Sequence, residues 1–347
     1  MFGRLHDGRL TTVKTEPELN DPILLCDEHG RLNPEAVGWS RRPLHRCNLR
    51  GHWLRKKRWN YWAITTDTHL FSLTLTHLDY AGLAFAYFLD FATHEFIEQT
   101  VLHPFGRGLV LPEGVEGEIH FEDERLRMQM ADDGATVRLV TESPDFGGKP
   151  LSATFTVTRP PGQESVNVVI PWSRSRFQFT SKQEALPAVG EVRLGDRKIP
   201  FDGFACLDFG RGVWPYRGFW NWAAASGVQD GRTVGLNLGG GWTDGTGMNE
   251  NGFVVDGRVT KVHDDLCFEY DAANFMRPWR IRTRASDQVD LRFEPFFERV
   301  ARTDALVIRS EVHQMIGRFS GTIVTADGER IAIDRMIGWA EEHRARW

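Results

Sequence analysis

Two groups of residues have the types and the spacing that acid–base chemistry requires. Glu311 and His313 lie two residues apart in the alternating run 306–316, so a strand would place both side chains on one face. A carboxylate beside an imidazole can hold the ring in one tautomer and tune it for proton transfer near neutral pH. The alternative is a polar stripe that faces solvent on an outer strand. The direction in which this strand faces decides between the two interpretations.

The second group lies in the glycine-rich segment 239–252, which carries Asp244 and Glu250 as further candidate acids or bases. Closely spaced glycines allow a backbone to approach a bound molecule, and Asn249 adds a polar group. The segment lacks the Gly-Lys-Ser/Thr of a Walker loop, the strand–helix setting of a dinucleotide fingerprint and the ligand spacing of an EF-hand. The alternative is a hairpin that is hydrogen-bonded to itself through its Asp and Asn side chains.

Tryptophans close to this segment suggest a wall for a ligand. The two-residue period of a strand puts Trp220 and Trp222 on one face and Asn221 on the other. Facing a barrel interior, the two indoles would form a flat apolar surface; facing outward, they would cover a junction between barrels. The predicted ligand-binding residues are Tyr216, Arg217, Trp220, Trp222, Asn237, Trp242 and Asn249.

The elements that must position these residues are predicted to be strands. Apolar and polar residues alternate in short runs, for example over 71–76, 126–130 and 234–238, and Asp-Gly or Gly-Gly pairs separate many of the runs. The runs recur about every 8–12 residues, which is the spacing of sandwiches and barrels. A polar stretch punctuated by prolines at about 172–198 predicts two domains, 1–180 and 181–347. The prediction is therefore an all-β chain with two consecutive antiparallel barrels.

Composition excludes several classes of protein. The chain has 347 residues, and 42 Lys and Arg residues against 47 Asp and Glu residues give a formal charge of −5. This charge argues against a nucleic-acid partner. No apolar run reaches the roughly 18–20 residues of a membrane span, and no secretory signal is recognisable at the N-terminus, so a cytoplasmic location with four free thiols is expected.

Two local patterns have a second interpretation. The basic block 41–58, with interleaved tryptophans, could bind nucleic acid or anionic lipid, but a solvated segment leading into the first strand is favoured. Cys26, His29, His45 and Cys47 could close a zinc tetrahedron, but their order is not that of a common zinc finger, so no metal is predicted.

Several longer segments resemble one bacterial family. They read LNPEAVGWSRRPLHRC (32–47), CLDFGRGVWPYRGFWNWAAASG (206–227), GRTVGLNLGGGWTDGTGMNENG (231–252), SEVHQMIGRFSG (310–321) and IGWAEEHRARW (337–347). Together they resemble the family known as domain of unknown function 2804 (DUF2804). That family is distantly similar to lipocalin-like double-barrel proteins, among them the carotenoid 1,2-hydratase family. The resemblance implies a tandem of calycin-like barrels, and it carries no catalytic residue over to this chain.

Three functions follow as hypotheses. The first is a binding protein for an apolar or amphipathic small molecule, based on the β pattern and the aromatic residues. The alternative is an enzyme without a cofactor, a hydratase, isomerase or cyclase, that uses Asp244, Glu250, Glu311 or His313 as acid or base. A further alternative is a protein that binds or hydrolyses carbohydrate, since Trp platforms with Asp and Asn also suit sugars. The oligomeric state is left open.

Overall fold

The computed structural model describes residues 15–305 and 308–346. Leu306 and Val307 of the predicted run lie outside the described residues. One 3-10 helix (Pro34–Ala36) accompanies the strands. The strands are β1 (Ile23–Leu24), β2 (Trp39–Ser40), β3 (His45–Arg46), β4 (Lys56–Thr65), β5 (His69–His77), β6 (Ala81–Asp90), β7 (Phe96–Pro104), β8 (Gly117–Glu122), β9 (Arg127–Asp132), β10 (Thr136–Ser143), β11 (Leu151–Thr158), β12 (Val166–Ser173), β13 (Arg176–Leu194), β14 (Arg197–Val213), β15 (Arg217–Gln229), β16 (Arg232–Gly240), β17 (Gly252–Val255), β18 (Arg258–Lys261), β19 (Leu266–Glu269), β20 (Trp279–Thr283), β21 (Val289–Ala305), β22 (Ile308–Val324) and β23 (Arg330–Arg346).

The chain divides into two compact units. The N-terminal unit is Asn20–Trp214, and the C-terminal unit runs from Pro215 onward and includes the segment that ends at Leu19. The sequence placed the boundary at 180/181, which lies inside β13. The observed boundary comes later because β13 and β14 form one long hairpin that pairs with β11 on one side and β4 on the other. A cut at residue 180 would divide that sheet.

The large sheet of the N-terminal unit has the order β7-β6-β5-β4-β14-β13-β11-β10-β9-β8, with β12 paired to β13 and β2. Alternation explains its core. In β11, Leu151, Ala153, Phe155 and Val157 are buried in the core, whereas the threonines between them are partly or fully exposed. The parallel strands β1 and β3 form a separate two-stranded sheet.

The sheet of the C-terminal unit has the order β18-β17-β16-β15-β23-β22-β21-β20-β19. The sheet curls, because the edge strand β19 approaches β16, the third strand from the other edge. A Cβ atom added to Gly240 of β16 would lie 3.5 Å from the ring of Phe268 in β19. The enclosed core includes Ala223, Leu238 and Met315. We call the face that carries these residues the inner face. Two curled antiparallel sheets confirm the all-β prediction.

Among the described residues, no helix has the length and apolar character that a membrane crossing requires.

Candidate binding and acid–base site

Three neighbouring strands bring charged residues together on the inner face of the C-terminal unit. Met315 of β22 and Ala340 of β23 are core residues directly opposite each other. Two positions further along, the inner face carries His313 opposite Glu342, and beyond them Glu311 opposite Arg344. The hydrophobic core therefore continues into a charged rim at one end of this half-barrel.

His313 lies between two carboxylates in this rim. Its Nδ1 is 2.7 Å from Glu298 Oε1, and its Nε2 is 3.1 Å from Glu311 Oε1. Arg302 Nη2 lies 2.9 Å from the same Glu311 oxygen. The hydrogen bond from His313 and the nearby Arg302 lower the pKa of Glu311, so this group is a carboxylate at neutral pH. The cluster can hold, deliver or accept a proton at the imidazole.

A second pair lies beside the first. The hydroxyl of Tyr270 donates to Glu342 Oε2, and the amide of Asn221 donates to the tyrosine oxygen over 3.2 Å. Burial, together with the hydrogen bond to Glu342, raises the pKa of Tyr270 to about 12. Tyr270 therefore remains a protonated donor. Arg344 Nε lies 2.7 Å from the other oxygen of Glu342.

The cluster around His313, together with Glu342 and Arg344, borders a cleft of about 530 Å³. Phe275 and the short segment before it also line this cleft, whereas Tyr270 does not. The ring of Phe275 stacks on His313 at 4.5 Å between centroids. Tyr270 stacks on the buried Trp279 at 4.1 Å. Aromatic rings thus extend from the core to the charged rim, and the cleft offers both an apolar surface and charges of either sign.

Trp220 and Trp222 lie on the opposite, outer face of the same sheet, although the prediction that they share a face holds. The Trp220 indole donates to Glu341 Oε1 over 3.1 Å. Trp222 donates to Asn237 Oδ1 over 2.8 Å. Asn221, between them, lies on the inner face and donates to Tyr270. The structure therefore does not join the two tryptophans to Glu311 and His313.

Trp242, Asn249 and Glu250 of the glycine-rich segment form a buried, hydrogen-bonded cluster on that outer face. Trp242 donates to Glu250 Oε1 over 2.8 Å, and Asn237 donates to the backbone oxygen of Glu250 over 2.7 Å. Asn249 Oδ1 accepts from Lys261 Nζ over 2.5 Å. The first of these contacts stays within the segment, and the other two tie it to β16 and β18. None of these residues lines the cleft described above.

The remaining predicted residues are at the surface. Asp244 accepts from the backbone N–H of Gly241 within a turn and lies 3.7 Å from Arg284. Tyr216 and Arg217 are exposed and do not line the cleft. In the part of the chain that the structure describes, no three His, Cys, Asp or Glu side chains converge as metal ligands. Burial raises the pKa of Cys26 to about 12, so this thiol is protonated.

Sequence reasoning identified Glu311 and His313 but missed most of the charged cluster. Glu298, Arg302 and Tyr270 belong to it but come from other strands or from the loop before β20. The sequence does contain a signal for Glu342, because the stretch 341–344 alternates like a strand. In the structure this stretch pairs with the part of β22 that carries the predicted residues Glu311 and His313.

The comparisons with known proteins agree with this fold. The family model for a domain of unknown function, DUF2804, matches residues 16–347 and confirms the resemblance. No curated protein sequence matches this chain. Among solved structures, a protein provisionally assigned as AttH from Nitrosomonas europaea has a TM-score of 0.51 at 12% identity, covering 83% of this chain and 92% of that one.

Two other solved structures are less similar. CghA in complex with Sch210972 has a TM-score of 0.49 at 11% identity, covering 84% of this chain and 89% of that one. Kievitone hydratase from Nectria haematococca has a TM-score of 0.46 at 8% identity, with coverage of 84% and 89%. The fold is lipocalin-like, with two curled half-barrel sheets.

Proposed function

Because this chain belongs to the DUF2804 family, whose description assigns no function, we propose a function from the geometry of the cleft. The cleft binds an amphipathic small molecule. The observation that carries this proposal is the junction of the aromatic ring of Phe275 with a charged rim at His313, Arg302 and Arg344. An apolar body would lie against this ring while a polar head meets the rim.

Fluorescence titration with 1-anilinonaphthalene-8-sulfonate, an anionic aromatic probe, tests the site. Removing the ring in Phe275→Ala takes away most of one aromatic contact, worth roughly 1.5 kcal/mol or about tenfold in Kd. Arg302→Gln should weaken binding of the same probe by a smaller factor, because Glu311 partly neutralises the charge of this guanidinium.

Tyr216→Ala is the matched control, since it changes a predicted ligand residue that does not line the cleft. If Tyr216→Ala weakens binding of the probe while Phe275→Ala leaves its Kd unchanged, the cleft is not the binding site.

Acid–base catalysis on the bound molecule is the second candidate function, and the Glu298–His313–Glu311 cluster favours it. Glu298 makes the shorter contact, at Nδ1, and fixes the ring. Glu311 is shared with Arg302, so a ligand can displace it from Nε2 and receive or give the proton there. Hydration, isomerisation and cyclisation each need such a proton transfer.

Deuterium incorporation from D₂O into a panel of enolisable ketones and conjugated enones, read by mass spectrometry, tests this step. His313→Gln should lower the rate by about 100-fold or more. His120→Gln is the control, because His120 and Glu118 form a similar pair, 3.2 Å apart, on the surface of the other unit. Equal rates in both variants would reject catalysis by His313 while leaving the binding proposal intact.

A further inference from the structure

A strained turn displays a tryptophan at one end of the N-terminal unit. Trp53 has 79% of its surface exposed, the second-highest value among the exposed large hydrophobic residues of the described chain. Its neighbours His52 and Leu54 have φ values of 46° and 62°, in the left-handed region that ordinary residues avoid. Such conformations persist only where the surroundings hold them.

The turn is anchored from three sides. The ring of His52 is bonded to the carbonyl oxygen of Gly30 over 2.9 Å. Lys56 Nζ donates to the carbonyl of Gly51 over 2.9 Å, and Arg55 donates to the carbonyl of Trp214 over 3.0 Å. The exposed indole is therefore a feature of an ordered turn and is held away from the core.

A second loop displays apolar side chains at the same end. Phe105 is 61% exposed and Val110 is 80% exposed, whereas Leu109 and Leu111 are buried and anchor the loop. Gly106 fits closely over a histidine ring, since an added Cβ would lie 2.3 Å from His77 Nε2.

Hydrogen bonds place the two loops together. The Phe105 N–H donates to the carbonyl of Tyr80 over 2.9 Å. In the same 78–80 turn, Asp79 accepts from the backbone of Lys56, the residue that closes the Trp53 turn, over 3.3 Å. Trp53, Phe105 and Val110 therefore project from neighbouring loops.

The charges around these tips are positive. Arg50 and Arg107 are exposed, Arg55 is partly exposed, and within residues 15–305 and 308–346 none of the three forms an ion pair with a carboxylate. Several other cations of the basic block are paired, for example Arg46 with Glu113 and Arg58 with Asp79. Arg50, Arg55 and Arg107 therefore leave uncompensated positive charge on the loops that carry the apolar tips.

We propose that this surface, the Trp53 end, docks onto an anionic lipid membrane. Trp and Phe at loop tips partition into the headgroup region, while the arginines contact lipid phosphates. A nucleic acid fits less well, because Val110 offers no ring for base stacking.

Co-sedimentation of the full chain with vesicles tests the proposal. Vesicles of phosphatidylcholine containing about 30% phosphatidylserine should pellet the protein, pure phosphatidylcholine should not, and the bound fraction should fall as salt rises. Trp53→Ser should weaken binding about tenfold, and the double change Arg50→Gln with Arg107→Gln should weaken it by more than about fivefold. Phe105→Ser is a second variant, in case the strained turn around Trp53 does not tolerate substitution.

Val189→Ser is the control, because Val189 is 53% exposed in the same unit and lies outside these loops. Equal binding to both vesicle types, no binding to either, or full binding by Trp53→Ser and Phe105→Ser would overturn the proposal. Retention on a single-stranded oligonucleotide without vesicle binding would do the same and would assign the surface to nucleic acid.

Discussion

The sharpest stability prediction concerns a buried ion pair that holds the start of the described chain in the C-terminal unit. Glu16 Oε2 lies 2.6 Å from Lys261 Nζ, and each side chain is only 2% exposed. The other carboxylate oxygen of Glu16 accepts from the N–H of Asn249 over 2.5 Å. Burial lowers the pKa of Lys261, and the Glu16 carboxylate opposes that shift. The ammonium therefore depends on Glu16 to remain charged.

Glu16→Gln leaves that ammonium buried without its nearest countercharge. Removing one partner of a buried pair typically costs about 3–5 kcal/mol, whereas replacing both partners by apolar residues can be nearly neutral. We therefore expect Glu16→Gln and Lys261→Met each to lower the free energy of unfolding by about 3 kcal/mol. The double variant Glu16→Leu with Lys261→Met should lose much less than the sum.

Urea unfolding followed by circular dichroism and tryptophan fluorescence measures these changes, with the two units fitted as separate transitions. The neighbouring, exposed Glu18 supplies the control Glu18→Gln, which should change stability by less than about 0.5 kcal/mol. A loss below about 1 kcal/mol in Glu16→Gln, or a double variant as unstable as the sum of the single variants, would refute the reasoning.

Two further predictions concern the outer face of this sheet. Gly239→Ala should cost about 1–3 kcal/mol in thermal unfolding, because its Cβ would lie 2.1 Å from Glu250 Oε1, while Gly240→Ala, 3.5 Å from Phe268, should be tolerated. Burial lowers the pKa of His343 to about 3, whereas the pKa in the unfolded chain is roughly 6.5. The contribution of His343 to the free energy of unfolding is therefore fully present above about pH 6.5. It falls toward pH 3 by at most ~1.4 kcal/mol per pH unit. His343→Gln should flatten that slope in acid unfolding curves, and an unchanged slope would show that other groups control it.

The local sequence pattern was sufficient to predict the strands but not how the strands are arranged in the fold. Strand alternation predicted that Glu311 and His313 lie side by side, and in the structure the imidazole of His313 is hydrogen-bonded to the carboxylate of Glu311. The same rule correctly assigned Trp222 and Asn221 to opposite faces of the strand. It could not say which face was inner, because both faces of β15 are largely buried over its central residues. Candidates from both faces were therefore combined into one site, although the sheet backbone separates them.

Contacts between distant parts of the chain had no sequence signal. Glu16 and Lys261 are 245 positions apart, and nothing in the composition around Glu16 marks it as buried. The predicted domain boundary differs from the division between the two compact units for a related reason. The prolines near 172–198 suggested a linker, yet Pro187 and Pro200 lie within paired strands of the β13–β14 hairpin, opposite Phe204 and Glu191.

The position of Glu298 shows how one residue of register can determine the chemistry of a site. Phe293 is an inner-face core residue, so strict alternation would turn Arg299, not Glu298, toward the cleft. The register of β21 against β22 shifts between Pro295 and Phe297, and after this bulge the even-numbered residues face inward. Proline at the bulge is consistent with the shift, since it cannot donate to the ladder. His313 thereby meets a carboxylate instead of a guanidinium at Nδ1. A guanidinium there could only have opposed the positive charge that proton transfer places on the ring, so the proposed acid–base role depends on this bulge as much as on His313 itself.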